Sequence, residues 1–311
     1  MSILRGLVKL LAMSQQNKNT EKEPPQKTNA RKSKAQVDSS ISKRRMMAKL
    51  PSEMRPYADN VWASKLPSLK ISLAKQEQIE FTQSKVGGYP YFPEILDLPL
   101  DATGNNLDFL AQINFAELPQ LDGYPSTGIV QFFIARSDAY GLDFGDRKSQ
   151  KNYRVIYHEN IENPSRTEFK ELDELRQTEE YMSPLQTSAQ YLMQFETQTD
   201  FIPADSINFN HFFDNKTFNF FERFDDKERE ITQAYNKLAT NTGHKIGGYP
   251  YFTQDDPRMY DKSIKSWILL FQLDSEGDIM WGDVGVGNFF ISPEDLKKGD
   301  FSNVFYNWDC C

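Results

Sequence analysis

One heptad occurs twice in this chain. Val86-Gly87-Gly88-Tyr89-Pro90-Tyr91-Phe92 returns as Ile246-Gly247-Gly248-Tyr249-Pro250-Tyr251-Phe252, 160 residues later, with six of seven residues identical. At the same offset, Gln112 in Leu110-Ala111-Gln112-Ile113-Asn114 returns as Gln272 in Leu270-Phe271-Gln272-Leu273-Asp274. Phe132-Phe133-Ile134 is matched by Phe289-Phe290-Ile291 at an offset of 157, a loop-length difference of three residues. Two anchors at one offset imply an internal duplication, with related halves at about 46–200 and 201–311. Each half then reads as a Gly-Gly-Tyr-Pro loop, a Gln-bearing strand, a turn and an aromatic strand.

The repeated residues define a rigid turn. Gly-Gly admits positive φ or a close approach of another surface. Tyr before Pro is held extended, and Pro fixes φ and removes a donor. Two readings are open. Either Gly87, Gly88, Tyr89, Pro90 and Gly247, Gly248, Tyr249, Pro250 enter equivalent strands of a duplicated sheet, or they form a pair of loops lining one groove. Neither copy is a phosphate loop, because no Gly-Lys-Ser/Thr follows. Gln112 and Gln272, with Asn114 and Asp274 two residues on, sit among apolar residues. A buried Gln must satisfy both ends of its amide, so it ties down neighbouring backbone. The expected place is a pseudo-symmetric interface between the halves, with ligand binding as the alternative. Trp281-Gly282-Asp283-Val284-Gly285 reads as a tight turn capped by Asp283. The functional alternative gives Asp283 a cation or sugar hydroxyl and makes Trp281 a stacking platform.

Periodicity predicts many short strands and few helices: an α+β protein, mainly antiparallel. Strands are expected at 69–73, 109–115, 128–135, 153–157, 190–195, 267–273, 279–281, 285–291 and 302–308. In the second of these, alternation puts Phe109, Ala111, Ile113 and Phe115 on one face and Leu110, Gln112 and Asn114 on the other. Helices are expected at 52–63, capped by Ser52, at 167–181, and as a last turn at 293–297. The strongest helical pattern is 225–242, with Asp225 as N-cap and Gly243 as C-cap. Residues 1–45 are polar and basic, cannot bury enough surface to order themselves, and are expected to be a disordered tail. Folding is expected to begin near Met46. Within the tail, residues 2–13 carry a short apolar face. It is too short to span a bilayer and is read as a leader outside the fold or a weak interfacial anchor.

Charge separates the tail from the body. Residues 1–50 hold 12 Lys and Arg against 3 Asp and Glu, and the other 261 residues carry a net charge of −17. An acidic body repels nucleic-acid phosphate, so no nucleic acid is expected on it, whereas it suits a basic protein partner. The cysteines are Cys310 and Cys311, adjacent at the end, which excludes a disulfide framework and fits a reducing, cytoplasmic setting. A terminal Cys-Cys is also a prenylation signal, but the strand-like residues before it argue for a core position. No transmembrane segment is expected. Catalytic constellations are poor. His158, His211 and His244 lack metal-ligand spacing, no Gly-x-Ser-x-Gly occurs, and Asp225-Asp226 and Asp255-Asp256 read as solvated pairs. No catalytic residue, metal or cofactor is therefore assigned. The expectation is a non-catalytic binding protein. The alternatives are a small-molecule or carbohydrate binder and an enzyme of unknown class.

Several segments in order resemble the YwqG-like proteins. In the first half these are Lys85 to Pro90, Phe109 to Asn114 and Gly128 to Phe133. In the second they are Gly243 to Phe252, Met280-Trp281-Gly282-Asp283 and Asn307-Trp308-Asp309-Cys310. The resemblance covers roughly residues 50–311. The chain departs from it at Leu98-Pro99, where many members carry Trp-Pro. It implies a bacterial-type soluble protein with an internally duplicated α+β fold and no established catalytic residues. It also implies that the terminal Cys-Cys belongs to the domain, and that an accessory or immunity role beside a secreted toxin is open to the protein.

Overall fold

The computed structural model describes residues 34–161, 165–177, 182–186, 188–213 and 220–311. The leader, the rest of the tail to residue 33 and the end of the helix expected at 167–181 lie outside them. The chain divides into two compact units, Met1–Ser42 and Lys43–Cys311. Helix α1 (Lys34–Lys49) starts well before Met46, inside the segment that composition assigns to the tail.

Ten strands form one antiparallel sheet: β1 (Leu66–Gln76), β2 (Lys85–Val86), β3 (Asp108–Asn114), β4 (Ile129–Ile134), β5 (Tyr153–His158), β6 (Gln190–Asp200), β7 (His244–Gly247), β8 (Ile268–Asp274), β9 (Val286–Ile291) and β10 (Val304–Asp309). Their order is β10-β9-β8-β7-β1-β6-β2-β3-β4-β5. The order is symmetric about the long β1–β6 pair, which runs in register from Leu66↔Asp200 to Gln76↔Gln190. β1 goes on to pair with β7 and β6 with β2. The registers correspond as well. Lys85 faces Gln112 and Lys245 faces Gln272, and a bulge at Phe109/Ala111 matches one at Leu269/Phe271.

The sheet folds so that the inner faces of its two arms meet. Phe132 lies 4.9 Å from Phe271 and 4.7 Å from Phe289, ring to ring. The outer strands close the contact, with the Tyr153 hydroxyl donating to Val304 O at 2.6 Å. This core runs through both arms of the sheet and includes Leu69, Val86, Val130, Phe271, Trp281 and Tyr306. The faces expected for β3 are broken by its bulge: Phe109 joins the outer cluster while Ala111, Ile113 and Phe115 join the inner core. All seven residues of β3 are buried, as are all of β4 and β9. The outer faces are covered too, by Phe92, Leu98, Phe169 and Leu172 on the first arm and by Ile264, Trp267 and Phe305 on the second.

Several of the helices collect in one aromatic cluster. Met46, Leu50, Met54 and Val61 pack with Phe201, Phe209, Phe213, Phe220, Ile231 and Tyr235. Here the expected caps are displaced. Ser52 opens a 3-10 turn (Ser52–Tyr57) whose cap is Pro51, ahead of helix α2 (Ala58–Ala63). Asp225 caps nothing; it lies at φ 48° inside a kinked 3-10 segment, Phe220–Lys227. The main helix there runs Glu228–Leu238 and ends before Gly243, whose amide donates to Asp274 Oδ2 at 2.6 Å. By contrast, the turn Pro293–Lys298 is capped by the Ser292 side chain and closed by Gly299 at φ 69°, as its sequence dictates.

Candidate functional site

Both Gly-Gly-Tyr-Pro turns take one shape. Gly87 and Gly88 lie at φ 69° and 68°, and Gly247 and Gly248 both at 69°. These are left-handed values that disfavour any residue with a Cβ. Space forbids one as well: a Cβ on Gly87 would stand 2.5 Å from Ala189 O, and one on Gly248 would fall on Asp200 Oδ2. Each turn is clamped by its glutamine. Tyr91 N donates to Gln112 Oε1 (2.9 Å), and Gln112 Nε2 donates to Phe81 O and Gln83 O. Tyr251 N donates to Gln272 Oε1 (2.8 Å), and Gln272 Nε2 donates to Asn241 O and Gly243 O. The glutamines therefore hold their own loops rather than an interface between halves. Asn114 and Asp274 pin the same loops, Asn114 Nδ2 donating to Thr82 O and Asp274 accepting from Gly243 N.

The polar row beneath each loop differs in its chemistry. In the first arm Gln131 Nε2 donates to Tyr91 O, and its Oε1 meets His158 Nε2 at 3.0 Å. Burial pushes His158 down to about 4, so the ring is neutral and donates. In the second arm Asn288 Nδ2 donates to Tyr251 O (2.9 Å), and Asp309 takes the register position of His158. Asn288 Oδ1 and Asp309 Oδ1 make no hydrogen bond of normal geometry among the described residues. Burial raises the Asp309 carboxyl above its ordinary range, against the pull of the Gln254 and Thr253 amides and of Arg147. The lysines at the head of each row differ as well. Burial lowers Lys85 to about 8, and its Nζ donates to Glu80 O (3.0 Å). Lys245 instead forms a buried ion pair with Asp200, which also accepts from Tyr249 N and Ser68 Oγ.

What covers the loops differs most. The first is closed by the chain itself. Ser165 bridges to Pro93, and Arg166 N donates to Phe92 O at 2.8 Å. Phe169 stacks on Tyr89 (5.4 Å, 12°) and touches Phe81. From the helix Lys170–Arg176, Arg176 donates to Gly88 O and Asp108, and the Tyr89 hydroxyl donates to Asp173. At the second loop Tyr249 turns inward and donates to Ser64 O (2.6 Å). Beside Pro250, Tyr251 and Phe252 a cleft of about 170 Å³ stays open, with Asn241, Asp205 and Arg258 on its walls. A second hollow of about 270 Å³ adjoins it across Gln254 and Asp255, and contains Arg147, Asn307, Asp309 and Cys310.

The cleft is electronegative. Arg258 is locked to Asp256 through two nitrogens and donates its third to Trp267 O, so that pair is internally neutral. Asp255 accepts from the Tyr260 hydroxyl (2.9 Å). Asp205 is exposed by area yet ringed by protein, which raises its pKa, and Asp256 adds to the rise. Burial raises the Tyr251 phenol first, and Asp274, Cys311, Asp309 and Asp205 raise it further.

Trp281 and Asp283 do not join this site. Trp281 is 0% exposed, edge-on to Tyr140 inside the core, and cannot serve as a platform. Asp283 is exposed on the turn between Gly282 (φ 56°) and Val284 (φ 54°). His244 is engaged by Asp274 N and Glu276. Among the described residues no three His, Cys, Asp or Glu groups are placed to hold a metal ion, and no helix is long and apolar enough to cross a membrane. Sequence reasoning missed Asp200, Asp205 and Arg147, and named Asp309 only within a segment of the resemblance; all four reach the site through tertiary folding. Lys85 and Lys245 do share the 160-residue offset and were detectable on that ground.

These observations define a class: a mainly antiparallel β protein with two like loops, one sealed and one open. The model of a family described as Domain of unknown function (DUF1963) matches residues 84–310, and the chain belongs to that family. No match is found among curated proteins.

Proposed function

We propose that this chain is a non-catalytic binding protein that receives a basic protein partner at the second Gly-Gly-Tyr-Pro loop. The observation that carries this reading is the unequal covering of the two loops. The first is sealed by residues 165–176, while the second keeps an open cleft with acidic walls. A body with a net charge of −17 outside residues 1–50 would draw such a partner over a distance. Internal duplication, with halves near 46–200 and 201–311, accounts for the pairing of the loops. Its support is the symmetric strand order, the matched bulges and the two glutamine clamps. The YwqG-like resemblance supports a bacterial, cytoplasmic protein, and an accessory or immunity role beside a toxin.

A second reading has its own observation. Among the described residues, Asn288 Oδ1 and Asp309 Oδ1 are buried acceptors without a hydrogen-bond donor, and Asp309 faces the hollow beside Arg147. A small molecule or sugar with a hydroxyl or amine would supply the donor. The test is capture from the native cell lysate by the tagged full chain at moderate salt, with mass spectrometry. A stoichiometric basic protein, lost from Asp205→Lys/Asp255→Lys, is the expected result. If nothing is retained, the protein-partner reading fails and the Asp309 hollow becomes the site to screen.

A further inference from the structure

The sealed loop is a template for what fills the open one. Phe169 and Leu172 lie in one apolar cluster with Phe81, Phe92 and Leu98. The residues 160 positions later are Asn241, Phe252 and Arg258, and all three line the open cleft. The correspondence does not rest on counting alone. The Gln112 amide holds Phe81 O and Gln83 O, and the Gln272 amide holds Asn241 O and Gly243 O. Thus the space that residues 165–176 occupy over the first loop is the space left open over the second.

The same comparison gives the chemistry of the occupant. Over the first loop the chain enters extended, pairing its backbone through Arg166 N to Phe92 O, before it drops an aromatic ring onto Phe81 and Tyr89. At the second loop the carbonyl in that position is Phe252 O. The apolar walls Phe81 and Leu98 have become Asn241 and the Arg258–Asp256 pair, so a greasy ring no longer suits. Arg258 is satisfied within the protein, which leaves Asp205 and Asp255 as charges without an ion pair among the described residues. Tyr251, Phe252, Pro203 and Pro250 supply flat apolar surface against which a guanidinium or an aliphatic stem can lie.

Resting on the binding reading above, we infer that the cleft takes an extended segment of a partner chain bearing an arginine or lysine. The segment donates a backbone N–H to Phe252 O and sets its cation against Asp205 and Asp255. This is backbone pairing for affinity and a charged side chain for specificity.

The test is selection of random linear decapeptides displayed against the full chain, followed by binding measurements on the selected peptides. Selected peptides should share an Arg or Lys, and replacing an Arg by citrulline should weaken binding about tenfold or more. Methylating the backbone nitrogen next to the basic residue should weaken it comparably. Asp205→Asn/Asp255→Asn should lose binding while the chain stays folded and its Tm does not fall, because both residues are exposed by area and burial already disfavours the Asp205 charge. Selected peptides without a basic residue, or equal binding to the double variant, overturn the inference. A basic partner captured from lysate equally well by the double variant overturns it too, but leaves the binding reading standing. If neither peptide nor protein is retained, both fall.

Discussion

The two Gly-Gly-Tyr-Pro loops share backbone, clamp and register, yet they end in different situations. The first is a closed piece of core: its tyrosine stacks under Phe169, its glycine carbonyl holds Arg176, and its polar row ends in a neutral histidine. The second is built around a buried ion pair and faces a cleft. Its polar row ends in a carboxyl whose pKa is raised by burial. The difference teaches that the heptad encodes a turn, and that the two copies diverge in what lies over it. The glycines and glutamines belong to the shared part. Asp205, Asp255, Arg147 and Asp309 belong to the part that differs.

The lysines should break the symmetry most strongly. Lys245→Met leaves Asp200 buried without its counter-ion and should cost about 3–5 kcal/mol by denaturant unfolding. Lys85→Met removes a lysine that donates to a carbonyl and should cost no more than about 1 kcal/mol. Equal losses would mean that the two rows are energetically alike. Next come the glycines. Gly248→Ala meets both an unfavourable φ and the Asp200 carboxylate, and should cost about 3 kcal/mol or more. Gly243→Ala, at φ 87° with nothing within 4 Å of its Cβ, should cost only about 1 kcal/mol.

The glutamine clamps should be alike. Gln112→Leu and Gln272→Leu each leave loop carbonyls and a tyrosine amide unpaired, for about 1–3 kcal/mol apiece. A loss at one site alone would make the other clamp dispensable. The last comparison is the pH dependence. The folded pKa of His158 is depressed to about 4, so its contribution is intact above the unfolded value near 6.5. That contribution drains away as pH falls between the two. Asp309 has the opposite sign: its folded pKa is raised, so its contribution is greatest below the unfolded carboxylate range and is lost as pH rises through the folded value. Asp309→Asn should therefore raise Tm at pH 7 and do little at pH 3, whereas His158→Gln should flatten the profile between pH 6.5 and 4.

How much of this was legible in the sequence follows from what each residue depends on. Left-handed Gly87 and Gly247 depend on local chemistry, and the heptad showed them; Gln112 and Gln272 were legible as buried amides that tie down backbone, but they were read as an interface between the halves when they clamp their own loops. The antiparallel strands were legible from their aromatic and β-branched runs. The full burial of β3 was not, because its outer face is covered by Phe169 and Leu172, some 60 residues further along the chain. The two-residue strand β2 and the four-residue strand β7 are too short to carry a period. The caps at Ser52 and Asp225 failed because an aromatic cluster drawn from residues 46–63 and 201–239 sets those helix ends. Trp281 next to Asp283 resembled a sugar platform, but burial turned the indole into core. The open cleft itself was not legible at all. It exists because residues 165–176 cover one loop and the chain sends no comparable segment, among the described residues, over the other.

The central claim is that the second loop is the receiving face and the first is already occupied. Hydrogen exchange read by mass spectrometry on the full chain, with and without a selected basic peptide, tests it most directly. The account expects new protection across 250–259 and no change across 89–93. Protection at 89–93, or release of residues 165–177 on binding, would contradict it.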